Sequence, residues 1–119
     1  MEVSIRSRHL DLSEPLKEYE SRRLRFSVGA FDAHISGVDV CVEDVNGPRG
    51  GLDKKCVVAV LLRPFGRAFA RSIESDAYTA VDRAAARIRA VLVRTLARRR
   101  DPRRRDVAAP LLRGRRTPR

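Results

Sequence analysis

The chain of 119 residues carries 26 Lys and Arg against 15 Asp and Glu, a formal net charge of +11, and 43% of its residues are apolar. That length supports one domain with a small core and leaves little room for an enzyme with a deep pocket. The excess charge is lopsided: residues 76–119 hold fourteen Arg and four acids, net +10, whereas residues 1–75 hold twelve Lys or Arg and eleven acids, net +1, so a polyanion meets the C-terminal third first.

Only 5% of the residues are aromatic, so Val, Leu, Ile and Ala are expected to build the core, helped by Phe26, Phe31, Phe69, Tyr19 and Tyr78. No apolar run approaches the roughly 18 residues of a membrane span, and residues 1–8 alternate charged or polar with apolar positions, unlike a signal peptide. A cytoplasmic protein with no membrane partner is expected. Cys41 and Cys56 lie in strand-like segments, and in a reducing compartment both are expected to be free thiols.

Residues 2–8 place Val3 and Ile5 between polar neighbours, the period of two of a half-buried strand. A helix should follow. Ser13 suits its N-cap, Glu14 and Pro15 its first turn, and Leu16, Tyr19, Leu24 and Phe31 recur on one side while Lys17, Arg22, Arg23 and Arg25 project elsewhere. Glu20 and Ser27 interrupt that stripe, and Gly29 is expected at the helix end. From Ile35, Val38, Val40 and Val42 alternate with Asp39, Cys41 and Glu43, the clearest strand in the chain. Residues 46–51 break the ladder with Gly and Pro, and residues 56–62 restart it, so a long-looped hairpin is the natural join. Pro64 and Gly66 give the next break, and residues 67–73 form a fourth strand with Phe69 and Ile73 on one face.

Asp76 precedes the longest helical pattern, in which Tyr78, Val81, Ala85, Ile88, Leu92 and Leu96 recur at steps of three or four. Arg83, Arg87, Arg94 and Arg98 fall near one another on a different side, because their spacings approximate whole turns. Beyond Arg100 the periodicity is lost, and a Pro- and Arg-rich, disordered arm over residues 101–119 is expected after a folded domain of residues 1–100. The order β-α-β-β-β-α predicts an α+β fold, a four-stranded sheet with two helices packed on one face. Periodicity alone leaves the strand neighbours open.

His9, His34, Cys41 and Cys56 lack the paired close spacings of a zinc site, and no nucleophile is accompanied by a readable base, so no metal, cofactor, small-molecule substrate or enzymatic activity is expected. The loop 47–51 lacks a Walker lysine-serine pair and no helix pattern follows it, which excludes a nucleotide cradle. It is either a long hairpin turn or a flexible basic loop carrying Arg49, Lys54 and Lys55. Arginine forks on a rigid helix suit bidentate contacts to successive phosphates, whereas a merely solvated face is served by mixed Lys and Glu.

Three segments, Arg8-His9-Leu10-Asp11-Leu12-Ser13-Glu14-Pro15-Leu16, Glu43-Asp44-Val45-Asn46-Gly47-Pro48-Arg49-Gly50-Gly51-Leu52-Asp53-Lys54-Lys55-Cys56 and Asp76-Ala77-Tyr78-Thr79-Ala80-Val81-Asp82-Arg83-Ala84, occur in that order. Together they resemble the ribosome hibernation-promoting factor and ribosome-associated inhibitor family, once also called sigma-54 modulation proteins, over residues 2–100. The resemblance implies a domain similar in layout to double-stranded RNA-binding domains that sits in the decoding channel of the small ribosomal subunit. There it would contact 16S ribosomal RNA, in the free subunit or the 70S ribosome, and exclude messenger RNA and A-site and P-site transfer RNA in stationary phase or stress. Carried onto this chain, it implies rRNA contacts from Lys17, Arg22, Arg23 and Arg25 of the first helix, Arg49, Lys54 and Lys55 of the loop, and Arg83, Arg87, Arg94 and Arg98 of the second helix, with Arg6 and Arg8 as secondary candidates. Long members carry a further domain that pairs ribosomes; with 119 residues, no dedicated dimerisation domain is expected here. A general RNA-binding module, and a protein-interaction regulator that never meets the ribosome, remain the competing functions.

Overall fold

The computed structural model describes residues 1–46 and 52–100; the glycine-rich loop with Arg49 and the expected basic arm lie outside the described residues. Seven segments follow in chain order: β1 Glu2–Arg8, α1 Glu14–Val28, a 3-10 segment Gly29–His34, β2 Ile35–Asp44, β3 Lys54–Leu62, β4 Arg67–Glu74 and α2 Ala77–Arg100. The sheet order is β1-β2-β3-β4. β1 pairs with β2 in parallel, which α1 makes possible as the crossover, and β2-β3 and β3-β4 are antiparallel. This is the expected β-α-β-β-β-α layout, with the strand neighbours now fixed.

Alternation decides which residues meet the helices. Val38, Val40 and Val42 of β2 face inward and lie opposite Val60, Val58 and Cys56 of β3, and all six are buried. Ala68 and Ser72 continue the inner face on β4. Above them α2 buries Val81, Ala84, Ala85, Ile88, Leu92 and Leu96, and α1 buries Leu16, Leu24 and Val28. Each fully buried Val, Leu or Ile contributes about 1.5–3 kcal/mol against conformational entropy.

The aromatic residues do not fill this core as expected. Phe26 is 83% exposed and Phe69 56% exposed, Tyr78 is also exposed, and Tyr19 and Phe31 only border the buried cluster. The physical reason is position: alternation turns Phe69 to the sheet face away from the helices, and Phe26 falls on the outer side of α1, while Ala80, Ala84 and Ala85 supply small side chains where α2 meets the core. Tyr19 and Tyr78 instead meet edge to face at 5.0 Å where the two helices adjoin.

Local caps match their sequence signals. The Leu16 amide donates to the Ser13 side-chain oxygen at 3.3 Å, and the Thr79 amide donates to an Asp76 carboxylate oxygen at 2.9 Å. Gly29 does end α1, but at φ −59° in the right-handed region, and the chain tightens there into the 3-10 segment. Gly66 is different: its φ of +102° is one that side-chain-bearing residues rarely adopt, and a Cβ there would sit 2.8 Å from the Arg99 guanidinium. That guanidinium donates to the Arg63 carbonyl at 2.9 Å and to the Phe65 carbonyl, and lies over the Phe65 ring, tying the end of α2 to the β3-β4 turn.

Candidate nucleic-acid interface

Ten of the eleven cations expected to meet RNA lie within the described residues, and the fold distributes them over distinct surfaces. Arg83, Arg87, Arg94 and Arg98 form one exposed row along α2. Arg87 donates to the Arg71 carbonyl of β4 at 2.7 Å, which places the row along the β4 edge of the helical layer. Among the described residues no carboxylate pairs with any of the four. A row of uncompensated guanidinium groups on a rigid helix projects a concentrated positive field, and each can donate to two phosphate oxygens at once.

On α1, Lys17 and Arg22 are exposed, with Arg22 on the outward face. Arg25 leans toward the β1 edge of the sheet, donating to the Met1 carbonyl at 3.5 Å and to the Ser21 hydroxyl of its own helix at 3.3 Å. Arg23 is engaged within the protein: it pairs with Asp82 of α2 at 3.2 Å, and the same carboxylate accepts the Tyr19 hydroxyl. That hydrogen bond, helped by burial, raises the Tyr19 pKa above its ordinary value.

The two loop-proximal lysines part company at the base of the β2-β3 hairpin. Lys54 lies 2.9 Å from the buried carboxylate of Asp53 and 3.7 Å from Asp44, and the hydrogen bond to Asp53 raises its pKa. Its charge neutralises two acids. Lys55, one residue on, points to the other face of the sheet with Arg6 and Arg8 of β1. Arg6 is held by Asp39 at 3.1 Å. The candidate surface therefore divides into an open α2 row, an outward α1 group, and a set on the far side of the sheet.

Sequence reading left out Arg89 and Arg99, which the structure uses internally. Arg89 donates to the Ser27 carbonyl at 3.0 Å and lies over the Phe31 ring at 5.5 Å. Their positions on the helix wheel carry the signal: both fall outside the row formed by Arg83, Arg87, Arg94 and Arg98, on sides that face α1 or the sheet. Between the helices, Arg23, Phe26, Ser27, Ala86 and Arg89 line an open groove of about 370 Å³.

Other chemistry is sparse. Among the described residues no group of three or more His, Cys, Asp or Glu side chains could hold a metal ion, and no helix is long and apolar enough to cross a membrane. Cys41 and Cys56 are free; they point to opposite faces of adjacent strands, and burial pushes the Cys56 thiol up to about 12.

Comparison with known proteins converges on this same fold. A search of curated proteins finds no match. Among solved structures, a ribosomal subunit interface protein from Coxiella burnetii superposes with a TM-score of 0.71 at 21% identity, covering 82% of this chain and 99% of that one. The N-terminal domain of Thermus thermophilus Protein Y gives a TM-score of 0.59 at 18% identity, covering 76% of this chain and 93% of that one. Residues 3–100, nearly the whole folded region, match the family described as sigma 54 modulation protein / S30EA ribosomal protein, and the chain belongs to that family.

Proposed function

We propose that this protein is a ribosome-associated translation inhibitor that occupies the decoding channel of the small subunit, contacts 16S ribosomal RNA and excludes messenger RNA and A-site and P-site transfer RNA. The observation that carries this reading is the Arg83, Arg87, Arg94 and Arg98 row, four guanidinium groups on one helix without a described carboxylate partner. A ribosomal-protein family and fold neighbours titled as a ribosomal subunit interface protein and Protein Y support the choice of ribosomal RNA as the polyanion. The mechanism is occlusion in the cytoplasm: phosphate contacts position the domain, its bulk fills the path of substrate RNAs, and no bond is made or broken.

The test is co-sedimentation of the full chain with small subunits and 70S ribosomes, with and without saturating transfer and messenger RNA. Binding that those RNAs abolish supports occlusion. Binding indifferent to them, or equal affinity for unrelated duplex RNA, would replace this reading with a general RNA-binding module. A ribosome-free complex insensitive to salt would replace it with a protein-interaction regulator, because phosphate neutralisation makes RNA binding fall steeply as salt rises.

A further inference from the structure

A sheet covered by helices on one face leaves the other in water, where alternation ordinarily places polar side chains. The β3-β4 half of this sheet departs from that rule. Val57, Ala59 and Leu61 of β3 and Phe69 and Ile73 of β4 all point away from the helices, with Leu61 42%, Phe69 56% and Ile73 46% exposed. Cations frame them in register: Arg67 lies opposite Leu61, Arg71 opposite Val57, and Lys55 opposite Ile73. Among the described residues none of these three cations forms an ion pair. Lys55, Val57, Phe69 and Arg71 line a shallow depression of about 520 Å³.

We propose that this face binds single-stranded RNA, with a base stacked on Phe69 and adjacent phosphates held by Arg67, Arg71 and Lys55. On β4 the outward residues are Arg67, Phe69 and Arg71, successive members separated by about 6.8 Å, two residues of strand rise. A flat apolar ring between two guanidinium forks matches the alternation of base and phosphate in an unpaired strand, whose bases are free to splay onto aromatic platforms.

A second copy of the chain fits poorly. Antiparallel pairing of two β4 edges about Phe69 would set Arg67 of each copy opposite Arg71 of the other, and like charges directly opposite destabilise a ladder. A purely apolar protein surface would desolvate the same guanidinium groups without a partner. The RNA face adjoins the α2 row, since Arg87 of that row bonds the backbone of Arg71. It does not depend on ribosome occupancy, so either reading can fail alone.

The chain contains no Trp, so Phe69→Trp in the full protein gives an emission signal from this face only. Titration with an oligoadenylate of about twelve nucleotides should quench that emission to saturation. Adding Arg67→Glu and Arg71→Glu should raise the midpoint about tenfold or more. Phe69→Leu in the otherwise natural chain, which keeps apolar area but removes the ring, should weaken binding of a labelled oligoadenylate at least about fivefold. Unquenched emission while the labelled strand is bound would overturn the proposal, since the RNA would then sit on the helices or the arm. Unchanged affinity in Phe69→Leu would overturn it too. So would a Phe69-dependent dimer in sedimentation velocity whose formation excludes the oligonucleotide.

Discussion

The Ser27 hydroxyl on α1 donates to the main-chain carbonyl of Ala85 on α2 across 2.6 Å, and Arg89 of α2 returns a 3.0 Å bond to the Ser27 carbonyl. The helices are thus clasped in both directions at one small residue. Ser27→Ala should cost about 1 kcal/mol, the net worth of a buried neutral hydrogen bond. Ser27→Leu should cost at least about 1–3 kcal/mol by forcing the helices apart. Urea unfolding of the three proteins checks both, and a Leu variant as stable as the parent would refute the clasp.

Glu20 is buried at 0% exposure, and neither carboxylate oxygen has a hydrogen-bond partner among the described residues. Burial pushes its pKa up from 4.5 to about 7. Below about pH 4.5 the group is protonated folded and unfolded, and it carries no ionisation penalty. Between about 4.5 and 7 the unfolded chain ionises first, so stability falls as pH rises; above about 7 the loss is complete, on the order of 3 kcal/mol. Glu20→Gln should flatten this stretch of the stability-pH curve. Identical slopes for parent and variant would show that the carboxylate is solvated.

Arg83, Arg94 and Arg98 make no described internal bond, whereas Arg87 also satisfies the Arg71 carbonyl. Reversing the first three to Glu therefore removes charge with little structural cost. Each phosphate that is no longer neutralised should lower the slope of log affinity for the small subunit against log salt by about 0.7–0.9. A combined change below about one unit would mean that the row does not meet phosphate.

Cys41 lies partly exposed on the open face and Cys56 in the core. A disulfide reagent at mildly alkaline pH should label Cys41 in the native protein and reach Cys56 only on unfolding. Simultaneous labelling, followed by mass spectrometry, would indicate a core that opens without global unfolding.

Segment types were legible from periodicity because β2 and α2 obey their repeats almost without exception: Val38, Val40 and Val42 went inward, as did Val81, Ala85, Ile88, Leu92 and Leu96. Partners across space were not. Glu20 and Ser27 read as breaks in a stripe, yet both are buried, because helical position decides burial and chemistry then finds a partner for one and none for the other. Phe26 and Phe69 read as core by residue type, but helix position and strand alternation turn both outward. At the candidate site, charge composition located the arginines without separating those spent inside the fold, such as Arg23 and Arg89, from those left open, such as Arg94 and Arg98.

The parallel pairing of β1 with β2 also shapes how the domain comes apart. β2, β3, β4 and α2 follow one another through local connections, but β1 reaches its neighbour only across the whole of α1; the Arg6-Asp39 pair spans 33 residues. Loop-closure entropy makes such a contact the slowest to be rewarded during folding and the first to be surrendered. β1 also bonds on one side only, as an edge. Its amides should accordingly lead in native-state hydrogen exchange, well ahead of those in β3, so the N-terminal strand is expected to open before the central strands.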